Sequence, residues 1–185
     1  LHTEPGHLQY ARDFADARRI YSASEASSMN RLYQVESHFG VTGGMADHRL
    51  RLSTSQIPAF AAKIGSAIIE AVGGPRELGE FLARKSDGLD VDAHWIEACV
   101  EDLVENRGKS VVLAGSHLPI EVHQITFLIN DLLDGVGRTV DYLEVSSHSG
   151  ATSIAELAEK MSAGRVETLI ILGGNPAYNA PGSLS

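Results

Sequence analysis

Two spacings of apolar residues alternate along this chain, one helical and one extended. Ile57, Phe60, Ala61, Ile64, Ile68, Ala71 and Val72 recur at the period of one helix face. Thr54 or Ser55 stands where a cap is wanted, and Pro58 falls in the first turn, where its missing N–H is no loss. Gly73-Gly74-Pro75 ends the run, and a second helix is expected from Pro75 to about Lys85, before a loop at Ser86-Asp87-Gly88. Asp90 or Asp92 opens a third, with Trp95, Ile96, Cys99, Val100, Leu103 and Val104 on its apolar face and Gly108 at its close. Ile125, Leu128, Ile129, Leu132 and Leu133 mark a fourth, ending at Gly135. Ser153 and Glu156 have capping-box spacing for a fifth, with Ile154, Leu157, Ala158 and Met161 inward and Gly164 after it.

Between these helices lie short runs of strand chemistry at residues 32–36, 110–114, 139–145 and 168–172. Val111-Val112-Leu113 and Leu169-Ile170-Ile171-Leu172 are continuously apolar, as in strands buried on both faces. An aspartate at Leu169 is therefore expected to unfold the domain. Alternation of strand and helix from Leu32 to Leu172 implies parallel strands joined by right-handed crossovers. The expected fold is α/β, a Rossmann-like three-layer sandwich with a mostly parallel sheet of about four or five strands. Residues 1–30 hold a polar helical stretch, 8–20, and a Ser/Ala-rich one, 22–28, read as an N-terminal arm and linker; residues 31–185 are the α/β domain.

Composition narrows the function classes. The 185 residues suit a single domain, and 43 % hydrophobic content is that of a globular protein. A net charge of −9, with 24 acidic against 15 basic residues, argues against a nucleic-acid partner. No apolar run approaches the roughly 20 residues of a membrane helix, so direct membrane insertion is not expected. Cys99 is the single cysteine, which rules out an internal disulfide or a four-thiolate cluster. The chain opens Leu1-His2-Thr3 without Met and closes just past a strand-like run. Both ends read as boundaries within a longer polypeptide.

In open parallel sheets ligands bind beyond the carboxyl ends of the strands. That points to four loops, at residues 42–48, 115–119, 146–152 and 173–181. Gly173, Gly174, Asn175 and Pro176 would let backbone amides approach a ligand, with Asn175 bonding a polar edge; the same residues also make an ordinary tight turn. Gly115, Ser116 and His117 form the corresponding loop after the second strand-like run. Ser116-His117 and Ser147-His148-Ser149 hint at a hydrolase, but neither lies in the GxSxG context of a nucleophile elbow. Dinucleotide and P-loop fingerprints are both missing. His117 and His123 are six apart rather than the four of a helical zinc pair, so no metal site and no catalytic residue is assigned.

Four stretches together resemble one family. Met29-Asn30-Arg31-Leu32-Tyr33-Gln34-Val35-Glu36-Ser37 and Thr42-Gly43-Gly44-Met45-Ala46-Asp47-His48-Arg49-Leu50 look like the molybdopterin-oxidoreductase-like iron–sulfur subunit of bacterial alternative complex III. Residues 132–140, Leu-Leu-Asp-Gly-Val-Gly-Arg-Thr-Val, and 172–181, Leu-Gly-Gly-Asn-Pro-Ala-Tyr-Asn-Ala-Pro, fit it too, in order along the chain. The resemblance implies a fragment from the molybdopterin-enzyme-like part of a large electron-transfer subunit. Iron–sulfur clusters would lie elsewhere in the parent protein, with no cofactor in this fragment. Its implied partners are other domains of the same polypeptide and subunits of a membrane quinol-oxidising complex, on the extracytoplasmic face. The role implied is structural and non-catalytic. The alternative is a half-site for molybdopterin guanine dinucleotide at Gly173 to Pro176, the loop that contacts this cofactor in related molybdenum enzymes.

Overall fold

The computed structural model describes residues 6–144 and 153–182. The chain divides into two compact units, Leu1–Tyr142 and Leu143–Ser185. The first holds helix α1 (His7–Asp16), a 3₁₀ turn (Ala23–Ser28), strand β1 (Tyr33–Glu36), the one-turn helix α2 (Val41–Gly44) and strand β2 (His48–Arg51). Four longer helices follow: α3 (Ile57–Val72), α4 (Arg76–Lys85), α5 (Ala93–Glu105) and α6 (Ile120–Leu132). The second unit contains α7 (Ile154–Ser162) and the short α8 (Pro176–Asn179).

The helices form where periodicity and caps place them. Ser53 and Gln56 make a reciprocal capping box before α3, one residue ahead of the expected Thr54 or Ser55. Gly73 ends α3 in the left-handed region at φ 73°, and the next N–H, of Gly74, returns to the Ile69 carbonyl at 2.8 Å. Asp92 caps α5 by accepting from the His94 N–H, and Ser153 caps α7 by accepting from the Glu156 N–H.

Helix α3 is the centre of the first unit. One side of it sends Phe60, Ile64 and Ile68 into a core with Leu52, Ile96, Cys99, Ile129 and Leu133; the other sends Ala62 and Ile69 against Leu82 of α4. Gly65 faces Leu82 and Ile125, and a Cβ there would lie 3.1 Å from each, so the glycine sets how closely α4 and α6 approach. β1 and β2 pair in parallel, Tyr33 opposite His48 and Val35 opposite Leu50. Tyr33, Val35 and Leu50 pack on the helical core.

The three-layer sandwich is not what forms. The protein is mostly helical, 52 % helix, and among the described residues its only sheet is the two-stranded pair β1–β2. Two physical reasons stand out. First, β1 alternates, with Tyr33 and Val35 toward the core and Gln34 and Glu36 on the opposite face, whereas a strand covered on both sides is apolar on both. Second, the apolar runs say that the chain is extended but not what it pairs with. Residues 110–114 join no sheet; the backbone N–H and C=O of Val112 are taken instead by the Asn130 side chain. Residues 168–172 in the second unit likewise join no sheet among the described residues, with Leu169 42 % and Leu172 91 % exposed. At 139–144 the chain makes one isolated bridge, Val136 to Val140; Val145 and the 146–152 loop with Ser147-His148-Ser149 lie outside the described residues.

Candidate functional site

A set of polar contacts gathers around the start of the β1–β2 pair. Parallel register places Tyr33 and His48 side by side, and their rings stack at 4.5 Å with an interplanar angle of 16°. Trp95 of α5 meets Tyr33 edge-on at 5.3 Å, and Phe60 of α3 meets Trp95 at 5.6 Å, so an aromatic row runs from this face into the core. The Tyr33 hydroxyl donates to the Asp102 carboxylate at 2.5 Å, and Arg31 reaches the other oxygen of that carboxylate at 2.6 Å. Burial, reinforced by the Asp102 hydrogen bond and charge, raises the Tyr33 phenol well above its ordinary range.

Asp47 is a second junction. Arg18 donates to both its oxygens, at 2.6 and 2.8 Å, and the Leu32 N–H donates at 2.9 Å. Arg18 also donates to the Asn30 carbonyl at 2.7 Å, so one guanidinium joins the arm, the start of β1 and the start of β2. The Arg18 hydrogen bond holds the Asp47 carboxyl below the ordinary range; burial opposes this and the Leu32 N–H adds to it. On the polar face of the pair, Glu36 accepts from Arg49 at 2.6 Å and from the Gly40 N–H at 3.1 Å, while Arg49 also lies over the Phe39 ring. Burial pushes the Glu36 carboxyl up, but Arg49 and the Gly40 N–H outweigh it and leave it lowered. A shallow cleft of about 320 Å³ lined by Ala26, Met29, Arg31, Asp47 and His48 opens beside these junctions.

The sequence-derived candidates lie elsewhere. Gly115, Ser116 and His117 form the turn before α6, closed by the Leu118 N–H on the Gly115 carbonyl at 3.0 Å. Ser116 and His117 are both exposed, no hydrogen bond joins them, and the His117 ring folds back over Gly115. That geometry gives a hydrolase no nucleophile–base pair. In the second unit, Gly173 and Gly174 are both left-handed, at φ 78° and 76°, and lead into α8, whose first turn begins with Pro176. The Asn175 carbonyl accepts from Tyr178 and Asn179, and its side chain makes no cap bond. As a cradle for a guanine dinucleotide this turn offers two open glycine backbones and no buried polar side chain awaiting a partner. Space is open above both glycines, and none of the buried unpartnered polar atoms among the described residues (Asn30 Oδ1, Trp95 Nε1, Ser110 Oγ) lies in it. Among the described residues no group of three or more His, Cys, Asp or Glu side chains is placed to hold a metal ion, and no described helix is long and apolar enough to cross a membrane.

Sequence reasoning missed two pairs, Arg18 with Asp47 and Tyr33 with Asp102. Their partners are 29 and 69 positions apart, and no local motif announces them. The available signal was weaker: Asp47 and His48 both sit in the second of the resembling stretches. No protein-family model, curated protein or solved structure matches the chain.

Proposed function

We propose that this chain is a non-catalytic structural module of a molybdopterin-oxidoreductase-like, iron–sulfur electron-transfer subunit in a bacterial membrane respiratory complex. The resemblance of the four stretches supports the family, and one observation supports the structural role. Charged side chains within those stretches are engaged inside the chain itself: Arg31 with Asp102, Glu36 with Arg49, Asp47 with Arg18, and Asp134 with Arg107 at 2.8 Å. Groups engaged in this way hold loops in register, which is what a structural role asks of them. In this reading the module helps to position cluster-bearing neighbours, and its partners are other domains of the same polypeptide and adjoining subunits on the extracytoplasmic face.

The deciding experiment is cofactor analysis of the natural full-length protein. Iron at several atoms per chain without a pterin nucleotide supports the structural reading. A stoichiometric molybdopterin guanine dinucleotide that is lost in Asn175→Ala overturns it in favour of the half-site. Iron-free protein refutes the family assignment altogether.

A further inference from the structure

We propose that Arg18 and Asp47 form a releasable strap. Together they hold the arm, residues 6–30, beside the cleft that carries Arg31 and His48, and parting them lets the arm unwind as a unit while the helical body stays folded. This does not depend on the parent protein's function.

Three observations carry it. Helix α1 is 10 residues long and has no buried residue, and a helix of that length without packing is marginal in water. The described side chains of the 3₁₀ turn that follows, Ala23–Ser28, are exposed as well, so they do not anchor this part of the arm by burial. Against that, the Arg18 guanidinium makes three bonds at 2.6–2.8 Å, to both Asp47 oxygens and to the Asn30 carbonyl, with each side chain of the ion pair only 24 % exposed. Bidentate charge-assisted bonds of this kind are the strong ones. The body is independent of the strap, because its core is built from α3, α4, α5 and α6 with Leu52. Asp47 keeps its bond from the Leu32 N–H when Arg18 is removed, so the start of β2 stays tied to β1. Ala26 and Met29 form the arm's side of the cleft; Arg31, Asp47 and His48 form the body's side. Release of the strap therefore removes one wall of the cleft beside Arg31 and His48.

Limited trypsin digestion of the full 185-residue chain tests this at Arg12 and Arg19, which flank the strap. Arg18→Ala is expected to raise cleavage at both sites at least about tenfold, the loss expected for bonds between charged groups. Asp47→Asn, which retains an oxygen for the Leu32 N–H, is expected to do the same. The urea midpoint of the body, followed through Trp95 fluorescence, should stay where it is in both variants. Wild-type cleavage rates in either variant overturn the strap. A body midpoint that falls together with arm protection also overturns it, because arm and body would then be one cooperative unit.

Discussion

Asn130 grips Val112 at both of its backbone polar groups: the side-chain amide nitrogen donates to the Val112 carbonyl and the amide oxygen accepts from the Val112 N–H, each at 2.8 Å. Asn130 is 1 % exposed, so a buried carboxamide stands where the edge of a neighbouring strand would otherwise lie. Both members of this exchange are satisfied, which is the condition for a buried polar pair to be stabilising.

Asn130→Ala removes two hydrogen bonds, leaves two backbone groups without partners and opens a small cavity. The expected loss is about 3 kcal/mol of unfolding free energy in urea titration. Asn130→Asp should cost more at neutral pH, since a carboxylate would face the Val112 carbonyl with no proton to donate. Either variant with the wild-type midpoint would show that the exchange contributes nothing.

Gly43→Ala is expected to be destabilising by about 1–2 kcal/mol, because its methyl would collide with the Glu36 carboxylate and push it off Arg49 and the Gly40 N–H. Glu36→Ala removes the obstacle. In the double variant, Gly43→Ala should therefore cost almost nothing further, and a double-mutant cycle in urea measures that coupling. Strict additivity of the two substitutions contradicts the contact.

The carboxyls of Asp47 and Glu36 are both lowered in the folded chain. Their contribution is complete above the ordinary carboxylate range, about pH 4, and is lost as pH falls through the folded values. Tyr33 runs the other way: its raised phenol stabilises fully below the ordinary value near 10 and loses that contribution as pH rises through the folded one. Urea midpoints should be flat from about pH 5.5 to 8 and fall on both sides. Asp47→Asn with Glu36→Gln should flatten the acid limb; on the alkaline side the raised Cys99 thiol gives way first, and Tyr33→Phe should flatten the part above about pH 10. Limbs of unchanged steepness would assign them to other groups.

Cys99 is buried in the core, and its thiol is pushed up to about 12 by that burial and by the nearby Asp102 carboxylate. Thiolate, not thiol, reacts with disulfide reagents. At pH 8 the native chain should label orders of magnitude more slowly than the urea-unfolded chain, with the rate tracking the unfolded fraction. Rapid labelling without denaturant would mean that α5 does not seal this side of the core.

Leu169→Asp is now expected to change stability by no more than about half a kcal/mol, the usual range at exposed positions. The helices were legible because a helix writes its buried face into its own sequence, as Phe60, Ile64 and Ile68 do. Strand pairing was not, because the partner of an extended run is chosen elsewhere in the chain. In residues 110–114 that partner turned out to be one amide on a helix, and the hint lay in a polar residue, Asn130, set beside the inward-facing Ile129. Tyr33-Gln34-Val35-Glu36 carried its own message in strict alternation, which fits a pair with one wet face and not the middle of a sandwich. The polar junctions escaped for a related reason: Arg18 and Asp47, like Tyr33 and Asp102, meet only through the folded chain.

The central position of α3 decides how this protein breathes. Ile64, Ile68 and Ile69 are buried on different sides of one helix, against neighbours drawn from α4, α5 and α6. No single neighbour can detach and lay the hydrogen bonds of α3 bare, since the remaining helices still cover it. Its amide hydrogens should exchange with deuterium only when the whole body opens, which makes them the slowest in the first unit. Those of α1 should exchange within the dead time once Arg18 has let go. The spread between these two rates is a stopwatch for the difference between loosening an arm and losing a fold.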